Sequence, residues 1–408
     1  MSHQAFRQIA DSGRDALVDF VQRLVQAPSL SGEEGAAAAL VVAEMKALGF
    51  DEVDTDKVGN VIGRIRGSSS EAPVVVMNGH IDVVDPGPAE GWACPPWSGE
   101  IVDGRIWGRG SVDMKGPVAA MIHAASYFKA AGVVPSGDLI ITAAVQEEIG
   151  GLGTQFMAET LRADAGIVVE PSRNELRNGH RGRIEIQVRF PGRSAHASVP
   201  DLGINPHFAV SAFLQKLPTL QLGSDPVLGP STIAPTVLSS DQISRNVIPG
   251  ELVLFLDWRN VPAETRDHAV QSIEALVDTC IASGEIPDST DHRRVVTVSE
   301  APTPTYTGAV RDFAAIFPPF STSPDHPIVR AAQATVDQIQ GRPCPLDVWQ
   351  FATDGGHLAQ AGIPVVGFGP GDDRLAHTNR EALVIDDLID AAATYPPLVS
   401  AVGEAADS

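Results

Sequence analysis

Cysteine is scarce. Only Cys94, Cys280 and Cys344 occur in 408 residues, too few and too scattered for a disulfide framework or a thiolate metal cage. Basic side chains are also few: 29 Lys and Arg stand against 51 Asp and Glu, a formal net charge of −22. Nucleic acid and an anionic membrane surface both demand basic patches, so neither is expected as a partner. No stretch approaches the ~20 apolar residues of a membrane span, and the first residues, Met1 to Arg7, lack the apolar core of a signal peptide. The expectation is therefore a soluble cytoplasmic protein. The apolar share (43%) and charged share (20%) are those of a globular chain, and at ~150 residues per domain the length suggests two or three domains.

Helix and strand patterns alternate in the first half. Leu17, Phe20, Val21 and Leu24 share one helical face. Ser31 and Glu34 have the spacing of a capping box, opening a helix that Gly49 closes. Pro117 suits a first helical position, and Gly132 ends the run that follows it. Residues 74–77, 139–145 and 167–169 are short runs apolar on both faces, as in strands of a buried parallel sheet with helices on each side.

From Arg183 the texture changes. Ile184, Ile186, Val188 and Phe190 alternate with Arg183, Glu185, Gln187 and Arg189, the pattern of a half-exposed strand in an antiparallel sheet. Helical patterns near 206–217 and 262–282 enclose a strand at 252–256. Residues 181–298 thus read as an inserted α+β domain. Residues 1–180 and 299–408 read as a discontinuous α/β domain with a mostly parallel sheet. A Pro/Thr/Ser-rich connector spans 301–324, Asp325 is placed to cap a helix running toward Gly341, and residues 365–368 restore the parallel-sheet texture.

Five segments put His, Asp or Glu where a strand gives way to a loop, the end of an open α/β sheet at which ligand sites gather. His80 ends the first apolar run, and Asp82 points the same way two residues on, able to hold the second imidazole nitrogen of a metal-binding His80. Asp113 lies in a glycine-rich turn ahead of a helix. Glu147 and Glu148 follow another run, pointing apart, beside Gly150, Gly151 and Gly153. Glu170 ends a third run, and His377 follows a strand and a glycine turn. Each alone reads equally as a capped strand end or solvated loop. Together, imidazoles and carboxylates without cysteine suit two divalent ions of the zinc, cobalt or manganese type. Such a pair brings a shared water toward a pKa of ~7, and one carboxylate outside the ligand set must take its proton. Glu147 fits that need.

These stretches resemble, in order, the signatures of the co-catalytic zinc metallohydrolase family that includes acetylornithine deacetylase, succinyl-diaminopimelate desuccinylase, aminoacylase-1 and carboxypeptidase G: Gly79 to Val84, Gly108 to Gly116, Gln146 to Gly150, and Ala376-His377. The likeness spans essentially the whole chain. It implies that His80 and Glu170 bind one metal and Glu148 and His377 the other, with Asp113 bridging. It further implies Glu147 as general base and proton donor, with Asp82 orienting His80. In the inserted domain, Pro191 to Ser198 looks like the family's lid motif, which implies dimerisation and makes His196 an oxyanion donor reaching the partner's site. Asn246 and Arg259 match substrate-contacting positions, Arg259 as a carboxylate clamp or else as a structural ion pair. Thr353 to His357 partly resembles the desuccinylase pattern, which carries an arginine and an aromatic near that position; Gly356 is the substrate-contact candidate there. Cys94, among Trp92, Pro95, Pro96 and Trp97, reads as packing rather than as a nucleophile.

The implied activity is hydrolysis of an amide bond in a small N-acyl amino acid or related compound by a homodimer holding two divalent ions, most readily zinc. A dipeptidase or aminopeptidase, or a hydrolase of a carbamoyl or arylamine C–N bond, would share every ligand. A catalytically inactive binding protein is the alternative of another class.

Overall fold

A computed structural model describes residues 3–284, 286 and 295–407. The chain divides into two compact units: Met1–His180, Pro302–Arg311 and Phe320–Ser408 form the first, and Arg181–Ala301 with Asp312–Pro319 the second. Residues 312–319, expected in the first domain, fall in the second because the Ile316–Phe317 strand pairs antiparallel with Arg183–Pro191.

The first unit is built on a mixed, mainly parallel sheet. Its centre is the strand Val75–His80, buried along its whole length, with Leu139–Ala144 and Ala165–Val168 parallel on either side. Val365–Gly367 continues the parallel order beyond Ala165–Val168. Val61–Ile65 and Glu52–Thr55 add antiparallel strands at one edge. Leu176–His180 joins antiparallel at the other. Strands covered on both faces need apolar side chains at every position, which is why these runs do not alternate. Helices Lys115–Ala130 and Ile385–Ala406 cover the sheet, burying Val118, Met121, Ile122, Leu388, Ile389 and Tyr395.

The second unit carries an antiparallel sheet ordered Thr232–Ser240, Glu251–Arg259, Arg183–Pro191, Val295–Val298, with Ile316–Phe317 on the third strand. Arg183–Pro191 alternates half-buried and buried, as its sequence does. Ile184, Ile186, Val188 and Phe190 pack with Phe213, Ile273, Leu276 and Val277 of the helices Pro206–Lys216 and Arg266–Ala282. Each such side chain contributes roughly 1.5–3 kcal/mol on burial.

Several local expectations change. Ser31 and Glu34 do not form a capping box: the helix Gly35–Ala47 begins at Glu34 with no side-chain cap. Pro117 is the third residue of Lys115–Ala130, not the first. The helix Pro327–Gln340 is capped by His326, whose ring nitrogen accepts the Ile328 N–H; Asp325 pairs instead with Arg330. The connector contains the short strands Glu300–Pro304, Val310–Ala314 and Phe320–Ser321. All three cysteines are buried. Among the described residues, no helix is long and apolar enough to cross a membrane.

Candidate active site

The parallel register sets the site. His80 is the last residue of its strand, level with Ala144. Gln146, Glu147 and Glu148 therefore begin just past the neighbouring strand, and Glu170 just past the Ala165–Val168 strand, at the same sheet edge. Asp113 arrives from the turn before Lys115–Ala130, where its peptide to Met114 is cis. His377 follows the turn Asp373–Leu375 and takes a left-handed φ of 60°. Gln146 likewise has φ 55°. Non-glycine residues in that region are uncommon and hold only where surroundings over-determine them.

The His80 Nε2 lies 3.1 Å from Asp113 Oδ1, 3.6 Å from Glu170 Oε1 and 3.7 Å from Glu147 Oε2. The His377 Nε2 lies 3.2 Å from Asp113 Oδ2 and 3.0 Å from Glu148 Oε2. Asp113 thus turns one oxygen to each imidazole. Two donor groups result, His80–Asp113–Glu170 and Asp113–Glu148–His377, each with ligand atoms within 4.8 Å of one another. Glu147 belongs to neither.

The Asp82 carboxylate, expected on the second nitrogen of His80, is not the group that meets it. The His80 Nδ1 meets the Asp82 carbonyl at 2.9 Å, with the carboxylate farther off at 3.5 Å. That carboxylate instead accepts the backbone N–H groups of Glu147 (2.9 Å) and Glu148 (3.1 Å) and the Ser31 hydroxyl (2.7 Å). One buried acid thereby fixes the loop that carries both Glu147 and Glu148. Ser31 and Glu381 were not legible as site residues. Glu381 sits four positions after His377 and accepts the N–H groups of Val112 and Asp113, both at 3.0 Å, while Arg109 pairs with its other oxygen.

Electrostatics bear on what the site can hold. Burial, the Asp113 charge and their mutual repulsion push Glu170 and Glu148 up, and burial with Glu170 and Asp354 does the same to Glu147. Asp354, buried with one oxygen on Thr154, is pushed up to about 6. Burial would lower His80, but Glu147, Asp113, Asp82 and Glu170 carry it well above its usual range. Asp113 and Glu148 raise His377 to about 10. So many buried acids packed together suit a cationic occupant. Glu170 Oε2 is buried with no hydrogen-bond partner among the described residues. Carboxylate and imidazole donors in two groups around a shared aspartate fit a pair of divalent ions.

The second unit brings two further candidates together. His196 pairs with Val247 in a two-stranded ladder, and the Asn246 carbonyl accepts the Ala197 N–H. The Ser198 N–H donates to the His196 Nδ1 at 3.1 Å, and the Ser198 hydroxyl lies 2.7 Å from the same nitrogen. Both side chains are exposed. Arg259 donates to both oxygens of Asp257, at 2.7 and 3.3 Å, so the structural ion pair is present. In the first unit Gly356 is buried in the first turn of Gly355–Gln360, and His357 donates Nε2–H to the Gly150 carbonyl.

The profile of Peptidase family M20/M25/M40 matches residues 76–401. The uncharacterised protein YgeY of Escherichia coli K12 is 32% identical over 400 residues, covering 96% of each chain. The succinyl-diaminopimelate desuccinylase of Alkalilimnicola ehrlichii is 29% identical over 384 residues, covering 90% of this chain and 94% of its own. The solved structure of human carnosine dipeptidase 1 shares the fold at TM-score 0.75 and 16% identity, covering 99% of both chains. The two-unit α/β architecture, the paired donor groups and this match over most of the length agree: the chain belongs to peptidase family M20/M25/M40 and is a metal-dependent amidohydrolase.

Proposed function

We propose that the protein hydrolyses the amide bond of a small N-acyl amino acid or related compound. The observation that carries this reading is the division of labour around Asp113: two donor groups share it, and Glu147 lies 3.7 Å from the His80 Nε2 yet belongs to neither. Two divalent ions bound there would lower the pKa of a shared water to ~7 and polarise the scissile carbonyl. In this reading His80 and Glu170 would hold one ion and Glu148 and His377 the other, with Asp113 offering an oxygen to each donor group.

Glu147 then takes the water's proton. It then passes that proton to the departing nitrogen. Asp82 keeps Glu147 aimed through its backbone N–H. His196 of the partner subunit would donate its Nε2–H to the carbonyl oxygen as negative charge develops there. Asn246 beside it, Gly356, and Arg259 as a carboxylate clamp complete the substrate contacts. The clamp must form alongside the Asp257 ion pair.

Homodimerisation through the inserted unit, zinc as the metal and a cytoplasmic location belong to the same proposal. Support for the dimer comes from Thr232–Ser240, a nine-residue edge strand that is exposed at eight positions and carries Val237 and Leu238. Such an edge invites a strand from a second copy.

The dipeptidase reading shares every ligand, and the fold of carnosine dipeptidase 1 keeps it in view. Loading the purified protein with zinc, cobalt or manganese and assaying N-acetyl, N-succinyl and N-carbamoyl amino acids beside dipeptides separates the readings. Turnover of dipeptides alone would overturn the deacylase.

A further inference from the structure

The segment Ser29 to Glu34 runs beside the His80–Val83 turn. The Ser29 hydroxyl donates to the Ile81 carbonyl at 2.7 Å, the Val83 N–H donates to the Ser29 carbonyl at 3.0 Å, and Ser31 donates to Asp82. Glu34 ends this segment and begins the helix Gly35–Ala47. A carboxylate there would ordinarily cap its own helix. This one does not. Its Oε1 accepts the Gly32 N–H at 2.8 Å and, across 112 residues, the Gln146 N–H at 3.1 Å.

The consequence for the catalytic loop is specific. Three successive backbone N–H groups, those of Gln146, Glu147 and Glu148, end on two buried carboxylates: Glu34 takes the first and Asp82 the next two. Gln146 is the residue with φ 55°, so the chain turns sharply just before the two acids. Its side-chain amide is tied to the Pro304 carbonyl at 2.7 Å, which fixes the turn from the other side. Glu34 is fully buried, and its Oε2 has no hydrogen-bond partner among the described residues. Burying a carboxyl with one oxygen unsatisfied costs stability, and its own helix gains no cap in return. What it holds is the loop.

We propose that Glu34 is a positioning residue: its Oε1, by accepting the Gln146 N–H, holds the turn that aims Glu147 at the reacting centre and Glu148 at the second donor group. This rests on the roles given above to Glu147 and Glu148. The link is geometric, through one acceptor oxygen. Glu34→Gln, which keeps an acceptor at that position, should therefore behave unlike Glu34→Ala, and Glu34→Asp, which withdraws the oxygen by one methylene, should behave like Glu34→Ala.

The test uses full-length protein in three variants, Glu34→Ala, Glu34→Asp and Glu34→Gln, with Glu147→Gln as reference. Zinc titration of the metal-free protein reads the two donor groups separately from turnover, and kcat and KM are measured on whichever compound the wild type hydrolyses. Glu34→Ala and Glu34→Asp should lose roughly 10- to 100-fold in kcat with KM within threefold. They should bind the first zinc as the wild type does and the second about tenfold more weakly. Glu34→Gln should stay within threefold of wild type on every measure. Should Glu34→Ala fail to fold, the comparison of Glu34→Asp with Glu34→Gln decides. Equal losses in the Gln and Asp variants overturn the proposal, as does equal weakening of both zincs or a kcat within threefold in Glu34→Asp. If instead Glu147→Gln retains wild-type turnover, it is the base assignment that fails, while the zinc titration still judges Glu34.

Discussion

Glu381 accepts the backbone N–H of Asp113 at 3.0 Å across 268 residues of chain. The same oxygen takes the Val112 N–H, and the other pairs with the buried Arg109 at 2.5 Å. One stretch, residues 377–381, thus supplies a side chain to one donor group and an anchor for the residue that both groups share. Removing that carboxylate strands two buried N–H groups and a buried guanidinium. Glu381→Ala should cost about 3–5 kcal/mol of stability and weaken metal binding. Calorimetry and metal analysis check it; a folded variant with full metal content would separate the anchor from the site.

Glu147 lies outside both donor groups. Glu147→Gln should therefore keep wild-type metal content while turnover falls about 10²–10⁴-fold, the usual contribution of a positioned acid–base group. Metal analysis beside steady-state rates measures both halves, and near-normal turnover would discard the assignment.

Asp113 gives one oxygen to each imidazole. Asp113→Ala should weaken both metal positions at once, whereas His377→Ala should weaken only one. Two-step zinc titrations distinguish these outcomes. Loss confined to a single step in Asp113→Ala would contradict the bridge.

His357 provides a pH signature independent of metal. Burial pushes its imidazole down from 6.5 to about 4. As pH falls through that interval, the unfolded chain takes up a proton that the folded one refuses. The stability due to this group is thus fully present above about 6.5 and lost progressively toward about 4. In metal-free protein, denaturant midpoints should fall across this window more steeply in the wild type than in His357→Gln. That variant keeps an amide donor for the Gly150 carbonyl but does not titrate. Parallel curves would remove His357 from the account.

Mixed dimers test His196. Protein carrying His196→Ala, combined with protein carrying Glu147→Gln, should regain up to about a quarter of wild-type activity if the histidine serves the partner's site. No recovery would favour action within one subunit.

The strands and donors of the site were readable because each is a local pattern. A buried strand shows as a short apolar run, and the first polar residue after it marks the sheet edge where ligands gather. His80, Glu147, Glu148 and Glu170 were visible in this way. The alternation from Arg183 to Phe190 likewise announced a sheet with one covered face, which the structure has. Asp113 and His377 were visible from the glycine turns that carry them, one ahead of the helix Lys115–Ala130 and one after the strand Val365–Gly367, and the family's ordered signatures added their roles as metal ligands.

What holds those donors in place was decided only by the fold. The spacing of Ser31 and Glu34 satisfies a helix-capping rule, yet in the tertiary structure the Ser31 hydroxyl bonds Asp82 and the Glu34 carboxylate bonds the Gln146 N–H, and neither caps the helix Gly35–Ala47. Asp325 lost its expected cap to His326 in the same way. Nor does any local period reveal that Glu381 anchors Asp113 or that Asp82 spends its carboxylate on two loop N–H groups. Side-chain type and periodicity determine which segments become strands and which residues end them. The hydrogen bonds that tie Ser31 to Asp82 and Asp113 to Glu381 join positions 51 and 268 apart, and such pairings exist only once the sheet has brought its loops together.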